Sequence, residues 1–357
     1  MKTDMRKILE SKAMLTFIAI LIAFVVGAVV LVIAGINPFV AYATLLRSIF
    51  GAPKYLAWSV VYATPLIFTG LSVAFSFRTG VFNIGAEGQF VVGTLAAACV
   101  GILVDLPAVL EIPLCLIAAV AAGAVWGIIV GYLKVKWGIN EVLSMIMFNW
   151  IAYYLSNYMV NLPILHKEGG GEATKDIVDS AKIVFPKVIT QALCPRTNAG
   201  IIFAVIAVIV IYLIIEKTTL GYKLKAVGFK RHAAEYAGIH VNKAIMTAMS
   251  ISGALAGMAG ALQLMGNSFR VPQFAGQEGY GFEGITVALI GASNPIGVFF
   301  AGLFYGAMKY GSMKLSIIDA PAEIVDIIMG TIVFCIAISH VFRITLKKKK
   351  TDKEESK

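Results

Sequence analysis

Charged residues are scarce in this sequence of 357 residues. Asp, Glu, Lys and Arg make up 14% of it, whereas hydrophobic residues make up 59%. A soluble fold of this length could not bury that much apolar surface, so the composition argues against a soluble globular protein. It predicts that a lipid bilayer surrounds much of the chain.

Cysteine and histidine are also rare, and neither is arranged for chemistry. The sequence contains no Cys-x-x-Cys pair, no His-Glu-x-x-His motif and no Gly-x4-Gly-Lys-Ser/Thr phosphate loop. We therefore expect no metal, no cofactor and no disulfide framework, and we expect that this chain is not an enzyme and does not hydrolyse nucleotides itself. The four cysteines are Cys99, Cys115, Cys194 and Cys335.

Long uncharged apolar runs recur along the chain, and crossing a bilayer takes about 20 such residues as an α-helix. Between Gly284 and Met308 the run is broken by Ser293-Asn294-Pro295, a turn signal that predicts two short helices. A last span is predicted from about Glu323 to Phe342, which brings the total to about ten. The other spans begin near Ala13, Tyr55, Gly88, Ile112, Val142, Thr197 and Ala244. The uncharged stretch from Ala13 to Leu46 is predicted to be the first span.

The net charge of +10 comes from basic residues that are dispersed among the spans. This distribution argues against nucleic-acid binding and instead predicts the orientation, with both termini in the cytoplasm. The predicted regions are a cytoplasmic segment at 1–12, a transmembrane domain at 13–342 and a cytoplasmic basic tail at 343–357. Within the domain, residues 163–196 are predicted to form an external loop and residues 216–243 a cytoplasmic loop.

Two short motifs place a glutamate and glycines at the start of an apolar run. The first contains Asn83, Glu87 and Gln89, and the second contains Glu283. An ionisable side chain in a membrane span is costly unless it faces a cavity or a partner, so we assign these four residues to a substrate pathway. The alternative is that the glutamates only cap the starts of helices, where negative charge is stabilising.

The two glutamate motifs are predicted to begin near opposite faces of the membrane. Glycine-interrupted segments at corresponding places in two oppositely oriented halves are typical of inverted-repeat transporters. Stripes of small residues, such as Gly123-x3-Gly127 and Gly253-x3-Gly257, allow helices to approach closely. Such stripes favour packing within the chain over a dimer interface.

The predicted cytoplasmic loop contains a stretch, residues 228–238, that we call the coupling segment. A short amphipathic helix with small alanines, ended by a glycine, would fit a groove on a soluble partner. The alternative is a solvated basic loop that only fixes the orientation of the chain. The candidate docking residues are Gly228, Lys230, Arg231, Ala233, Ala234, Glu235 and Gly238.

The predicted cytoplasmic loop resembles the coupling segment of ATP-binding-cassette (ABC) importer permeases of the ribose and branched-chain amino acid class. The Ala-Val-Gly, Ala-Ala and Gly-Ile elements of those permeases recur in this loop in the same order. The motifs at 83–89 and 281–297 look closer to the nucleoside-import branch. His232 stands where the older importer signature has Glu before Ala-Ala, which argues against the maltose-type class.

The resemblance implies an all-α integral membrane fold of about ten transmembrane helices, with the inverted repeats of type II-like ABC importer permeases. It also implies three protein partners in a bacterial cell membrane: an ATPase subunit, a second related permease and an extracytoplasmic lipoprotein receptor. The implied solute is a nucleoside, with ribose or another sugar as the alternative. A stand-alone secondary transporter is a further alternative, but it would not need the Ala-Ala-x3-Gly loop.

Overall fold

The computed structural model describes residues 12–167, 169 and 171–338. The predicted segment at 1–12, apart from Lys12, the tail at 343–357 and the end of the last predicted span, at 339–342, lie outside these residues. Within the described part the chain is helical, and its only β-type pairings are isolated bridges. The helices are α1 (Lys12–Ile33), α2 (Pro38–Phe50), α3 (Pro53–Arg78), α4 (Ala86–Leu103), α5 (Ala108–Trp137), α6 (Glu141–Val160), α7 (Lys187–Ala192), α8 (Gly200–Lys217), α9 (Thr219–Phe229), α10 (Arg231–Tyr236), α11 (Val241–Gln263), α12 (Tyr280–Ile290), α13 (Pro295–Ser312) and α14 (Ile324–Ile338).

Six of the described helices are long and apolar enough to cross a membrane: α1, α3, α4, α5, α8 and α11 with the π-helical turn that extends it to Ser268. The helices α2, α12 and α14 are apolar but shorter. Whereas α3 is largely buried, α1 and α8 are largely exposed although they are rich in Val, Ile and Leu. So much exposed apolar surface suits contact with lipid tails. The chain is a multi-pass membrane protein, and the total of ten spans stays a prediction.

The described chain divides into two compact units, residues 12–51 with 308–338 and residues 52–307. In the first unit, α1 approaches α14 at Gly27, where an added Cβ would lie 2.6 Å from Ile328. The Tyr42 hydroxyl of α2 donates a hydrogen bond to the carbonyl of Phe24 in α1. These contacts hold the first unit together.

In the second unit α11 packs against α3, α4 and α5 through small residues. A Cβ added at Gly253 would lie 2.2 Å from the carbonyl oxygen of Gly123, and one at Gly127 would lie 2.3 Å from that of Met249. Backbones can approach this closely only where no side chain intervenes. The stripes predicted from the sequence therefore serve packing within the chain.

The first predicted span is wrong in one respect, because the uncharged stretch from Ala13 to Leu46 holds two helices. The chain turns at Gly35, which has φ +76°. The helix α2 begins at Pro38, and the Asn37 side chain caps it by accepting a hydrogen bond from the N–H of Phe39. An Asn-Pro pair is a strong start signal for a helix.

The predicted break at 293–295 is confirmed, since α12 ends at Ile290 and α13 begins at Pro295.

The two long loops contain ordered structure. Residues 163–196 include the 3₁₀ turn Asp179–Ala181, the helix α7 and a bridge between His166 and Thr174. Residues 216–243 include two helices, α9 and α10, where the sequence predicted one. The predicted terminating glycine is present, because Gly238 follows α10 with φ +78°.

Candidate functional site

The Glu87 carboxylate joins the starts of two helices. It lies in the first turn of α4 and is 1% exposed, and its two oxygens accept hydrogen bonds of 2.7 Å each from the backbone N–H groups of Gly279 and Gly281. These N–H groups begin α12 and have no acceptor within that helix. Glu87 therefore caps α12, a different helix from its own.

The glycines of α12 are what allow this close approach. A Cβ added at Gly281 would lie 2.1 Å from the backbone nitrogen of Glu87, so only glycine fits there. Behind this contact the ring of Tyr280 stacks on Phe90 with a centroid distance of 5.2 Å, and its hydroxyl accepts a hydrogen bond from Gln263. The two glutamate motifs predicted from the sequence thus meet in space.

A second polar group, which we call the polar cluster, consists of Ser72, Asn83, Gln89 and Ser252. The Asn83 amide donates to Ser252 Oγ at 2.6 Å, to Gln89 Oε1 at 2.9 Å and to Ser72 Oγ at 3.3 Å. The Ser252 hydroxyl in turn bonds to the carbonyl of Ser72 at 2.7 Å. All four residues are at most 1% exposed. The cluster ties α3, α4 and α11 together around uncharged donors and acceptors.

Asn149 of α6 fixes the start of α4. Its Oδ1 accepts from the N–H of Gly88 at 2.9 Å, and its Nδ2 donates to the carbonyl of Ile84 at 3.1 Å. Asn149, Ser72 and Ser252 were not predicted from the sequence, because each acts on a residue far away in the chain.

The predicted pathway residues differ in accessibility. Asn83, Glu87 and Gln89 are enclosed by helices, whereas Glu283, in the first turn of α12, is half-buried. A solute could reach the three enclosed side chains only if the helices around them separate. The described conformation is therefore closed at this point.

Within the coupling segment, one of the predicted docking residues faces the chain itself, because Ala234 is only 3% exposed. Gly228 is exposed, but its backbone also packs against residues 78–80. The other candidates, Lys230, Arg231, Ala233, Glu235 and Gly238, are exposed as well.

Two aromatic side chains that were not predicted from the sequence lie at the ends of α10: Phe229, the last residue of α9, and Tyr236, the last residue of α10. Phe229 is 89% exposed and Tyr236 is 98% exposed. Exposed aromatic residues are typical anchors of protein interfaces. Their position beside the exposed charges of α10 was the signal that could have identified them.

Comparison with known proteins identifies the family. Residues 55–337 match the model described as the permease component of the branched-chain amino acid transport system. The chain belongs to this family. No solved structure matches it. The resemblance that the sequence motifs suggested is confirmed.

Three relatives of this permease match over nearly its whole length. The guanosine ABC transporter permease protein NupP of Bacillus subtilis is 40% identical over 95% of this chain and 97% of its own. The nucleoside ABC transporter permease protein NupB of Lactococcus lactis is 33% identical over 96% and 95%. The glucose ABC transporter permease protein TsgB13 of Haloferax volcanii is 32% identical over 91% and 87%. Each of the first two bacteria also has a second, more distant relative of this chain. These are NupQ of Bacillus subtilis, at 28% identity, and NupC of Lactococcus lactis, at 26% identity.

The permease has a cleft beside its coupling segment, with a volume of about 490 Å³. Arg231, His232 and Glu235 of α10 line one side, and the ion pair of Lys134 with Glu141 lies at the other. The Asn140 side chain caps the start of α6 by accepting from the N–H of Val142. The cleft presents charges of both signs next to the exposed face of α10.

Proposed function

We propose that this chain is the membrane-spanning permease subunit of a bacterial ABC importer that takes up nucleosides. The observation that carries the proposal is the 40% identity to a guanosine permease over 95% of the chain. In this role the chain translocates the solute, and a separate ATPase subunit hydrolyses ATP. A sugar is the second candidate solute, supported by the 32% identity to a glucose permease.

The chemistry of the polar cluster supports a neutral polar solute. Amide and hydroxyl groups hydrogen-bond ribose hydroxyls and base edges without requiring a compensating charge. Polar residues inside a membrane protein are costly and mark solute paths. We assign the path to Asn83, Glu87, Gln89 and Glu283, at the meeting of α4 and α12, where the two predicted inverted repeats would face each other.

Coupling to the ATPase is assigned to the exposed face of the coupling segment. In this proposal Phe229 and Tyr236 act as anchors and Lys230, Arg231 and Glu235 form a charged rim, an arrangement common in protein interfaces. Residues 216–243 and both termini then lie in the cytoplasm, and residues 163–196 lie outside the cell membrane.

Two further partners complete the proposed importer. The paired relatives NupP with NupQ and NupB with NupC support a second, related permease, so that the pathway forms in a heterodimer. An extracytoplasmic lipoprotein would deliver the solute to the external face.

Competition for uptake in cells tests the proposed solute. Cells that produce the importer should accumulate labelled guanosine, and other unlabelled nucleosides in excess should reduce this uptake. Glucose and ribose in the same excess should leave it unchanged. Inhibition by glucose but not by nucleosides would favour the sugar instead.

A further inference from the structure

The turn between α3 and α4, residues 79–85, lies between the coupling segment and the polar cluster. Gly80 contacts the coupling segment, and Asn83, three residues later, is the hub of the cluster. Apart from Asn83, no residue of this turn belongs to the proposed solute path.

The coupling segment rests directly on the backbone of the turn. A Cβ added at Gly228 would lie 2.2 Å from the carbonyl oxygen of Arg78 and 3.1 Å from the nitrogen of Gly80. Gly80 itself has φ +70°, and its carbonyl accepts a hydrogen bond from Arg231 at 3.3 Å. Because no side chain intervenes, a displacement of the coupling segment cannot be absorbed by a change of rotamer.

Arg78 ties the end of α3 to two other elements. Its Nε donates to the carbonyl of Ser293 at 3.0 Å, in the turn that follows α12. Its Nη1 lies 4.0 Å from the Glu216 carboxylate at the end of α8, which also pairs with Lys225 at 2.9 Å. The end of α3 is therefore linked to both α12 and the helices that lead to the coupling segment.

Thr79, the first residue of the turn, has a side-chain hydroxyl that forms no hydrogen bond. It is fully buried, and its Oγ1 has no hydrogen-bond partner. A buried hydroxyl without a partner costs free energy, and native structures rarely retain one without a reason. A shift of the turn that gives this hydroxyl a partner would recover that free energy, which makes the turn a candidate two-state element.

We propose that residues 79–85 transmit movement of the coupling segment to the polar cluster, so that the ATPase opens the cluster through the Gly228–Gly80 contact and Asn83. Arg78, Gly80 and Gly228 are positioning residues in this mechanism, and Thr79 changes its hydrogen bonding between the two states. The proposal rests on the proposed function, in which the coupling segment docks on an ATPase subunit.

Removing the Thr79 hydroxyl tests this transmission. Thr79→Val removes the unpaired hydroxyl and keeps the shape of the side chain, so it should raise the thermal midpoint of the purified importer complex. It should also favour the closed state and lower ATP-driven guanosine uptake in proteoliposomes by about tenfold. ATP hydrolysis should continue, and Thr79→Ser should restore uptake.

Ser156→Ala is the matched control, because Ser156 Oγ in α6 is also buried and unpaired but lies outside the turn. This variant should transport like the wild type.

A second variant, Gly228→Ala, should retain the ATPase subunit during purification and lose uptake. If Thr79→Val transports as well as Ser156→Ala, or if Gly228→Ala releases the ATPase, the transmission mechanism is wrong. A wild-type complex that takes up no nucleoside would instead contradict the proposed function.

Discussion

At the scale of single residues, Glu87 forms hydrogen bonds to residues that are distant in the sequence. Its N–H donors lie 192 and 194 residues further along the chain. The sequence suggested a helix cap or a pathway residue, and the structure shows that the carboxylate caps the start of a second helix. A role in the pathway is compatible with this cap, because opening the pathway would separate α4 from α12.

Glu87→Gln tests the importance of this carboxylate. An amide has only one acceptor oxygen, so one of the two buried N–H groups would face an NH₂ donor. We expect the free energy of unfolding to fall by about 1–3 kcal/mol, which is the usual cost of an unsatisfied buried donor. Thermal denaturation in detergent measures it.

Glu283→Gln is the control for the Glu87 variant, since Glu283 is half-buried at the same helix start. We expect its thermal midpoint to change less than that of Glu87→Gln. If both variants unfold and transport like the wild type, neither carboxylate belongs to the site.

At the scale of helices, α10 illustrates why a short amphipathic element is hard to interpret. A helix of six residues has less than two turns, so its pattern did not reveal that Ala234 faces inward. A bulky charged residue at Ala234 would therefore disturb the fold as well as any docking. The exposed aromatic side chains beside α10 provide a cleaner test.

Tyr236→Ala should weaken the attachment of the ATPase subunit without unfolding the permease. Truncating an interface anchor costs about 2 kcal/mol or more, which corresponds to roughly a 30-fold loss of affinity. Co-purification of the ATPase in mild detergent measures the effect. Tyr222→Ala is the control, because Tyr222 is an exposed aromatic residue of α9 outside the coupling segment. An equal loss in both variants would argue against α10 as the specific docking site.

The contact of α5 with α11 depends on the glycine stripes. Gly253→Ala would place a methyl group 2.2 Å from a backbone oxygen, so one helix must move. Overpacking of this kind costs about 1–3 kcal/mol, and we expect a lower thermal midpoint. Gly276→Ala is the matched control, because its Cβ would meet no atom within 4 Å. Equal stability of the two variants would contradict the close packing.

The helices were largely predictable from apolar runs, and the break at 293–295 from its turn residues. The division between α1 and α2 was missed because the run remains uncharged through Gly35 and Asn37. The polar cluster was less predictable. Ser72 and Ser252 are 180 residues apart, and a lone serine in an apolar helix commonly bonds to its own backbone, as Ser76 does here. Only the packing of α3 against α11 reveals the pair.

At the scale of the whole molecule, the proposed orientation can be tested by labelling. In a background without the four native cysteines, a cysteine at Glu172 should react with an impermeant reagent on intact cells, and one at Lys230 should not. Both positions are exposed in the structure, so a lack of reaction would reflect the membrane rather than burial. Permeabilised cells are the control, in which both should react. The opposite pattern on intact cells would reverse the orientation and contradict the coupling assignment.

The most direct test of nucleoside import is uptake into proteoliposomes that contain this chain, its proposed second permease and the ATPase subunit. With ATP on the side of the coupling segment and the loaded lipoprotein receptor on the other, we expect labelled guanosine to accumulate. Uptake should stop when ATP is omitted or when the ATPase subunit is left out. Guanosine uptake that persists without the ATPase subunit would contradict the account and indicate a stand-alone carrier.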